Sequence, residues 1–168
     1  MVSIEQANSL RIERTYNAPI EDLWELWTTK EGFEAWWGPR GFRVEVFEID
    51  VRVGGQLRYD MIAAGEQEIA AMKAGGMDVK HYTHGVFTEV EHLRRLTCRY
   101  DIDFLPGVET YTNDVSVEFT QEGDQVRMLV LVQRHLTDEI SEGALQGFTS
   151  QLTKLPDALA AWAKRRQA

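Results

Sequence analysis

At 168 residues the chain suits a single globular domain, which buries about 70% of its unfolded surface on folding. Its hydrophobic content of 43% and charged content of 27% are those of an ordinary folded protein. The net charge of −9 speaks against nucleic-acid and anionic-membrane partners, which need a basic face; the one basic run, Lys164-Arg165-Arg166, suits the end of a helix, where cations complement the dipole. Cys98 stands alone, so no internal disulfide forms and a reducing compartment is expected. No apolar run approaches the roughly 18 residues that span a bilayer, and the first residues lack the basic start and apolar core of a signal peptide. A cytoplasmic location is the expectation.

In chain order, residues 9–16 alternate apolar and polar, with Leu10 and Ile12 against Arg11 and Glu13, and predict a strand. Pro19 fits the first position of a helix, Glu21 and Asp22 suit its first turn, and Leu23, Trp24, Leu26 and Trp27 supply an apolar face. A second short helix over 30–37 stops at Gly38-Pro39. Trp24, Trp27, Trp36 and Trp37 fall within fourteen positions, too many for so small a helical hairpin to hide, so they pack on something large or line something hollow.

Strands follow at 42–51, 56–62, 83–90, 95–104, 113–121 and 125–136, which makes about seven, mostly antiparallel. The segment 95–104 is the cleanest, with Leu96, Cys98, Tyr100, Ile102 and Phe104 on one face and Arg95, Thr97, Arg99, Asp101 and Asp103 on the other. Asp50 and Arg52 share one side of a strand end and are expected to pair across the Gly54-Gly55 turn. Residues 63–80 are eighteen where a hairpin turn would do. Glu66 to Lys73 are good helix formers and Gly75-Gly76 ends them, so this insertion is expected to be a lid or a mobile loop. Its Ile69, Met72 and Met77 would equally suit a homodimer contact. The last helix is expected over 141–166, with Ser141 and Glu142 at its start. Leu145, Phe148, Leu152, Leu155, Leu159 and Trp162 form its stripe, and Pro156 kinks it near 153–155. This order gives an α+β domain whose curved sheet wraps a C-terminal helix.

Strand, Ala18-Pro19-led helix, Trp36-Trp37-Gly38-Pro39, Asp50-Val51-Arg52-Val53-Gly54-Gly55, His84-Gly85-Val86-Phe87-Thr88-Glu89-Val90 and a helix with Gly147-Phe148 and Leu152 resemble the Aha-type branch of the START-like (SRPBCC) superfamily. That branch is named for activators of the heat-shock-protein-90 ATPase. The resemblance covers roughly residues 9–162 and implies the helix-grip fold, in which a seven-stranded sheet grips a long helix over an internal cavity. It implies a single domain over 1–168 with its core at 9–164. Members range from lipid and hormone carriers to aromatase/cyclases and co-chaperone domains. The chaperone activators carry a separate N-terminal chaperone-binding domain, which the eight residues before the first strand are not expected to supply. The insertion at 63–80 and Pro156 depart from the family pattern, and both bear on the cavity's shape.

Catalytic signatures are absent: there is no Gly-x-Ser-x-Gly elbow and no phosphate-cradling loop. Cys98, on an apolar strand face, reads as an inert small hydrophobe. His81 and His84 with Asp78 invite a metal reading, but a spacing of three on a strand points the two imidazoles to opposite faces; no metal and no cofactor are expected. His81 is expected solvated at a loop end, His135 with Asp138 and Glu139 at a strand-to-helix junction, and His92 in a turn.

The positive signal is aromatic. Trp24, Trp27, Trp36, Trp37, Tyr59, Met61, Tyr100, Phe104, Tyr111, Phe148 and Leu152 come from elements that face one another in a helix-grip fold, and are the candidate lining of a ligand cavity. Each taken singly is better explained by core packing; it is as a group that they point to a cavity. Three functions stay open: binding of a hydrophobic or aromatic small molecule; an enzyme of cyclase, dehydratase or hydrolase type using Tyr59, His84 or Tyr100 for proton transfer; and a chaperone-linked interaction module. The first predicts a cavity, the second a carboxylate or histidine beside a cavity tyrosine, the third an exposed apolar patch.

Overall fold

The structure is a computed structural model and describes residues 8–167. Seven strands, β1 (Ser9–Tyr16), β2 (Phe42–Ile49), β3 (Gln56–Ala63), β4 (Lys80–Glu91), β5 (Arg95–Ile102), β6 (Tyr111–Glu122) and β7 (Gln125–Gln133), form one antiparallel sheet in the order β1-β7-β6-β5-β4-β3-β2. Between β1 and β2 lie α1 (Ile20–Thr28) and α2 (Lys30–Trp36); α3 (Glu66–Ala74) fills the insertion, and α4 (Asp138–Leu152) and α5 (Leu155–Gln167) close the chain. This is the α+β, helix-grip arrangement.

Alternation decides the sheet's two faces. Leu96, Cys98, Tyr100 and Ile102 of β5 turn inward, as do Val117 and Phe119 of β6 and Val126, Met128, Val130 and Val132 of β7, and all are buried. The outer face is tied by cross-strand ion pairs of opposed charge: Arg95 reaches Glu89 and Glu118, Arg99 meets Asp114 at 2.9 Å, and Arg58 meets Glu48 at 2.9 Å. Bulges between Val46 and Glu48 and between Phe87 and Glu89 break the ladder. Each adds local twist, and this curls the sheet around the helices. The first bulge leaves Phe47 exposed on the outer face, stacked on the exposed Tyr82 with ring centroids 6.5 Å apart.

Pro19 stands one residue ahead of the expected position, as the N-cap of α1, and its carbonyl accepts from Asp22 N at 3.1 Å. Thr29 caps α2 by accepting from Gly32 N at 3.0 Å. A Cβ on Gly32 would lie 2.3 Å from Glu25 O, so glycine lets the two short helices close on each other. Strand β4 starts at Lys80 rather than 83, because Lys80 and His81 pair with Ile62 and Met61; main-chain pairing carries the strand into a stretch with no alternation to announce it.

The C-terminal helix differs from expectation at two points. It begins at Asp138, capped by Thr137, whose hydroxyl accepts from Ile140 N at 3.2 Å, while Ser141 is buried and its Oγ accepts from His135 N at 2.7 Å. Where one kinked helix is expected, two stand, broken at Thr153-Lys154. Pro156 is the second residue of α5, where its missing N–H costs nothing, so the proline starts a helix rather than bending one.

The expected Asp50–Arg52 pair forms, with Arg52 Nε 2.7 Å from Asp50 Oδ2, but both groups are solvated. The turn itself is held by backbone: Gly54 N donates to Phe87 O at 2.8 Å and Phe87 N to Gly55 O at 2.9 Å. A Cβ on Gly55 would sit 1.9 Å from the carbonyl oxygen of Asp50. Gly55→Ala is therefore expected to destabilise by about 2 kcal/mol or more in urea unfolding, while Arg52→Ala leaves the midpoint nearly unchanged, as solvated pairs do. Equal effects would mean that the ion pair, not backbone closeness, sets the turn.

Candidate ligand-binding cavity

Two adjoining chambers lie on the inner side of the sheet, the inner one against α4 and the outer one beneath the insertion. The inner one, about 270 Å³, is walled by Trp37, Tyr59, Thr83, Tyr100, Ile102, Asn113, Val115 and Val132 and by Phe148 and Gln151 of α4. The outer one, about 610 Å³, lies beneath Met72, Gly76 and Met77 of the insertion and beside Phe42, Leu105 and Pro106. Pro39, Met61, His81 and Phe104 line both and mark the passage between them. Helix α3 buries none of its residues and covers the outer chamber from outside.

The Trp37–Phe42 loop places the cavity's inner wall. Gly38 adopts φ +96°, and its N–H donates to Gln151 Oε1 at 2.9 Å. Arg40 N donates to Ser150 Oγ at 3.0 Å, its Nε to Thr153 Oγ1 at 2.7 Å, and Lys154 Nζ to Trp37 O at 3.3 Å. The loop thus holds the exposed ends of the α4–α5 break. Burial, with Arg40 nearby, holds the Lys154 ammonium below its ordinary pKa. Trp37 then lies against Phe33, Trp36, Trp27 and Phe148, and its Nε1 donates to Tyr59 OH at 3.0 Å.

Of the eleven candidate lining residues, Trp37, Tyr59, Met61, Tyr100, Phe104 and Phe148 stand on the chamber walls. Trp24, Trp27, Trp36 and Leu152 are buried in the core outside those walls: Trp24 packs edge-on to Phe119 and His92, Trp36 Nε1 donates to Leu26 O at 2.8 Å, and Trp27 stacks on Phe148 with its Nε1 buried and unpartnered. The indoles divide this way because α1 directs Trp24 and Trp27 into the sheet, whereas Trp37 follows the last turn of α2 on an extended backbone. Tyr111 stands behind the wall and hydrogen-bonds His135 Nδ1.

The proton-transfer candidates do not meet. Burial raises the Tyr59 and Tyr100 hydroxyls well above the ordinary tyrosine value; the first is held by Trp37 and Thr83 and the second neighbours Cys98, with no carboxylate or histidine on either. His84 is on the outer face, its Nδ1 2.7 Å from Asp101 Oδ2 and its Nε2 3.1 Å from Gln56. Burial pushes the Cys98 thiol up to about 12. Among the described residues no group of three or more His, Cys, Asp or Glu is placed to hold a metal. His81, expected in solvent, instead faces inward, its ring 5.0 Å from that of Phe104. Asn113 and Gln151, not among the candidates read from sequence, line the inner chamber together with His135, which was expected only at a strand-to-helix junction. Asn113 and Gln151 are both buried, and a polar residue among inward-pointing apolar ones was the available signal.

Burial holds His81 and His135 below the ordinary histidine value of 6.5, against the opposing pull of Asp103 and Asp60 on His81. The folded protein then binds fewer protons than the unfolded chain around that value, so this stability is full above it and is lost as pH falls through it. Asp22, raised by burial, works in the opposite direction. Urea midpoints are expected to drop from pH 8 to pH 5, and the His81→Gln, His135→Gln double variant to drop less; parallel curves would place the titrating groups elsewhere.

A family model described as "Activator of Hsp90 ATPase homolog 1-like protein" matches residues 17–160. Among solved structures, a protein from Chromobacterium violaceum superposes with TM-score 0.73 at 21% identity, covering 91% of this chain and 97% of its own. The AHSA1 protein from Silicibacter pomeroyi gives 0.72 at 21%, covering 91% and 98%. A protein from Arthrobacter aurescens gives 0.74 at 18%, covering 95% and 90%. These likenesses establish the fold, and a comparison with curated proteins finds no match. The match to the family model spans most of the chain, and the protein belongs to the Activator of Hsp90 ATPase homolog 1-like family of START-like domains.

Proposed function

We propose that this protein binds a hydrophobic, ring-bearing small molecule in the two-chambered cavity, with the insertion as its lid. The observation that carries the reading is the inner chamber of about 270 Å³, walled by Trp37, Tyr59, Met61, Phe104 and Phe148 and continuous with a larger apolar vestibule. Sites for small organic ligands are concave, mostly apolar and marked by a few fixed polar groups. Family membership agrees, since START-like domains enclose such cavities. In the insertion, Met72 of α3 and Met77 beyond it supply flexible apolar side chains at the mouth, suited to rings of varied shape.

N-phenyl-naphthylamine, a neutral fluorophore that brightens in apolar sites, provides the test. One equivalent is expected to bind and to quench tryptophan emission through Trp37. Met61→Trp, which fills the passage between the chambers, is expected to weaken binding at least tenfold with little change in the unfolding midpoint. Failure to bind, or binding indifferent to Met61→Trp, would defeat the proposal. Native mass spectrometry of freshly purified protein would then look for the natural occupant.

A further inference from the structure

We infer that the molecule received by the inner chamber carries a carbonyl oxygen on its apolar body, and that Gln151, His135 and Asn113 form the polar seat for it; the inference rests on the cavity-binding reading above.

The argument is an accounting of the chamber's polar groups. Seven polar side chains reach its wall: Tyr59, His81, Thr83, Tyr100, Asn113, His135 and Gln151. Tyr59 accepts from Trp37 Nε1 and interacts with Thr83, Tyr100 neighbours Cys98, and His81 lies against the Phe104 ring at the passage. Tyr59, Thr83 and Tyr100 are engaged with wall neighbours and His81 belongs to the stretch shared with the outer chamber, which leaves three in the inner chamber alone.

For Gln151 the neighbours fix which end of the amide points where. Gly38 N–H is a donor, so the atom 2.9 Å from it must be the oxygen, and the NH₂ group takes the other side. That NH₂ has no hydrogen-bond partner among the described residues, although the residue is only 4% exposed. Asn113 is fixed the opposite way. Its Nδ2 donates to Gln133 O at 2.8 Å, which leaves Oδ1 as an acceptor on a side chain 3% exposed. His135 Nδ1 is bonded to Tyr111 OH, a contact open to either tautomer; we assign the phenol as the donor, so that Nδ1 accepts and Nε2 carries the proton. Burial lowers the His135 pKa and so favours this neutral form. Among the described residues Nε2 has no partner.

The chamber therefore offers donors on Gln151 and His135 and one acceptor on Asn113, all set in apolar walls. None of the three atoms is sealed from solvent, so each is open to a partner inside the chamber, and a ligand that displaces water from them must offer polar groups in its place. Two donors match the two lone pairs of a carbonyl oxygen, and the asparagine oxygen suits an adjacent hydroxyl or N–H on the same molecule. A purely hydrocarbon ligand would leave all three unpaired. A site built to hydrogen-bond an oxygen discriminates strongly against an analogue lacking it.

Acetylnaphthalene and ethylnaphthalene have nearly the same shape and differ in that one carries a carbonyl where the other has a methylene. Isothermal titration of the full-length protein is expected to show the ketone bound about tenfold tighter or more than the hydrocarbon. Gln151→Met and His135→Leu should each bring the ketone-to-hydrocarbon ratio toward unity, with Gln151→Met also weakening both probes because it takes away the partner of Gly38 N–H. The pair is chosen because Gln151→Met also removes the acceptor for Gly38 N–H and His135→Leu does not. Equal wild-type affinities for the two probes would overturn the polar seat and leave the apolar cavity standing. Variants that keep the wild-type ratio would place the seat elsewhere and overturn it too. If neither probe binds, both this inference and the cavity reading fall.

Discussion

The constraint on which the rest depends is the hydrogen bond from Gly38 N to Gln151 Oε1, made across 113 positions of sequence and buried. It joins the end of the α1–α2 hairpin to the last turn of α4, and the bonds from Arg40 and Lys154 extend it over the break before α5. Gly38 has φ +96°, and a Cβ there would stand 3.1 Å from Met61 Sδ, so the approach is open to glycine alone without strain or displacement. A helix that simply lay on the sheet would fill the inner face. One held at its far end by a loop is kept clear of Tyr59 and Val132, and the inner chamber is the space left between them.

The same bond links fold to chemistry. By using the oxygen of Gln151 it leaves the amide NH₂ of a chamber-lining residue free for another partner. Trp37 is similarly used twice: its ring is wall, and its N–H anchors the Tyr59 hydroxyl that would otherwise compete for a ligand. Buried polar networks are costly when half satisfied and specific when complete. Trp27 Nε1 is a different case, an unpartnered buried donor beside a void of about 10 Å³, too small to admit a ligand.

The insertion stands apart energetically. Helix α3 buries none of its residues, and it is tied to the body mainly through backbone bonds from Ala64 and Gly65 to Gly41 O at its base. A segment with few buried apolar contacts belongs to the low-stability end of a fold, where ligand-gating elements are found. Its Met72 and Met77 line the outer chamber, so soft, adaptable apolar side chains stand at that opening.

The sequence by itself determined the strands, because period-two alternation in residues such as Leu96, Cys98, Tyr100 and Ile102 leaves one face that must be buried. It determined the glycine turns, the α+β class and, through the Trp36-Trp37-Gly38-Pro39 and Asp50 to Gly55 motifs, the family, since these are local patterns with local causes. Tertiary structure alone decided which aromatics face space. Trp36 and Trp37 are adjacent in sequence, yet one is sealed in the core and the other is cavity wall, according to contacts with Leu26 and Tyr59. It alone turned Pro156 from a kink into a helix start, extended β4 to bring His81 inward, and assembled Asn113, His135 and Gln151 from three elements. The physical reason is common to all of these: hydrophobic burial is written in residue type and spacing, whereas a cavity is defined by what fails to fill it, and that depends on side chains brought together from distant parts of the chain.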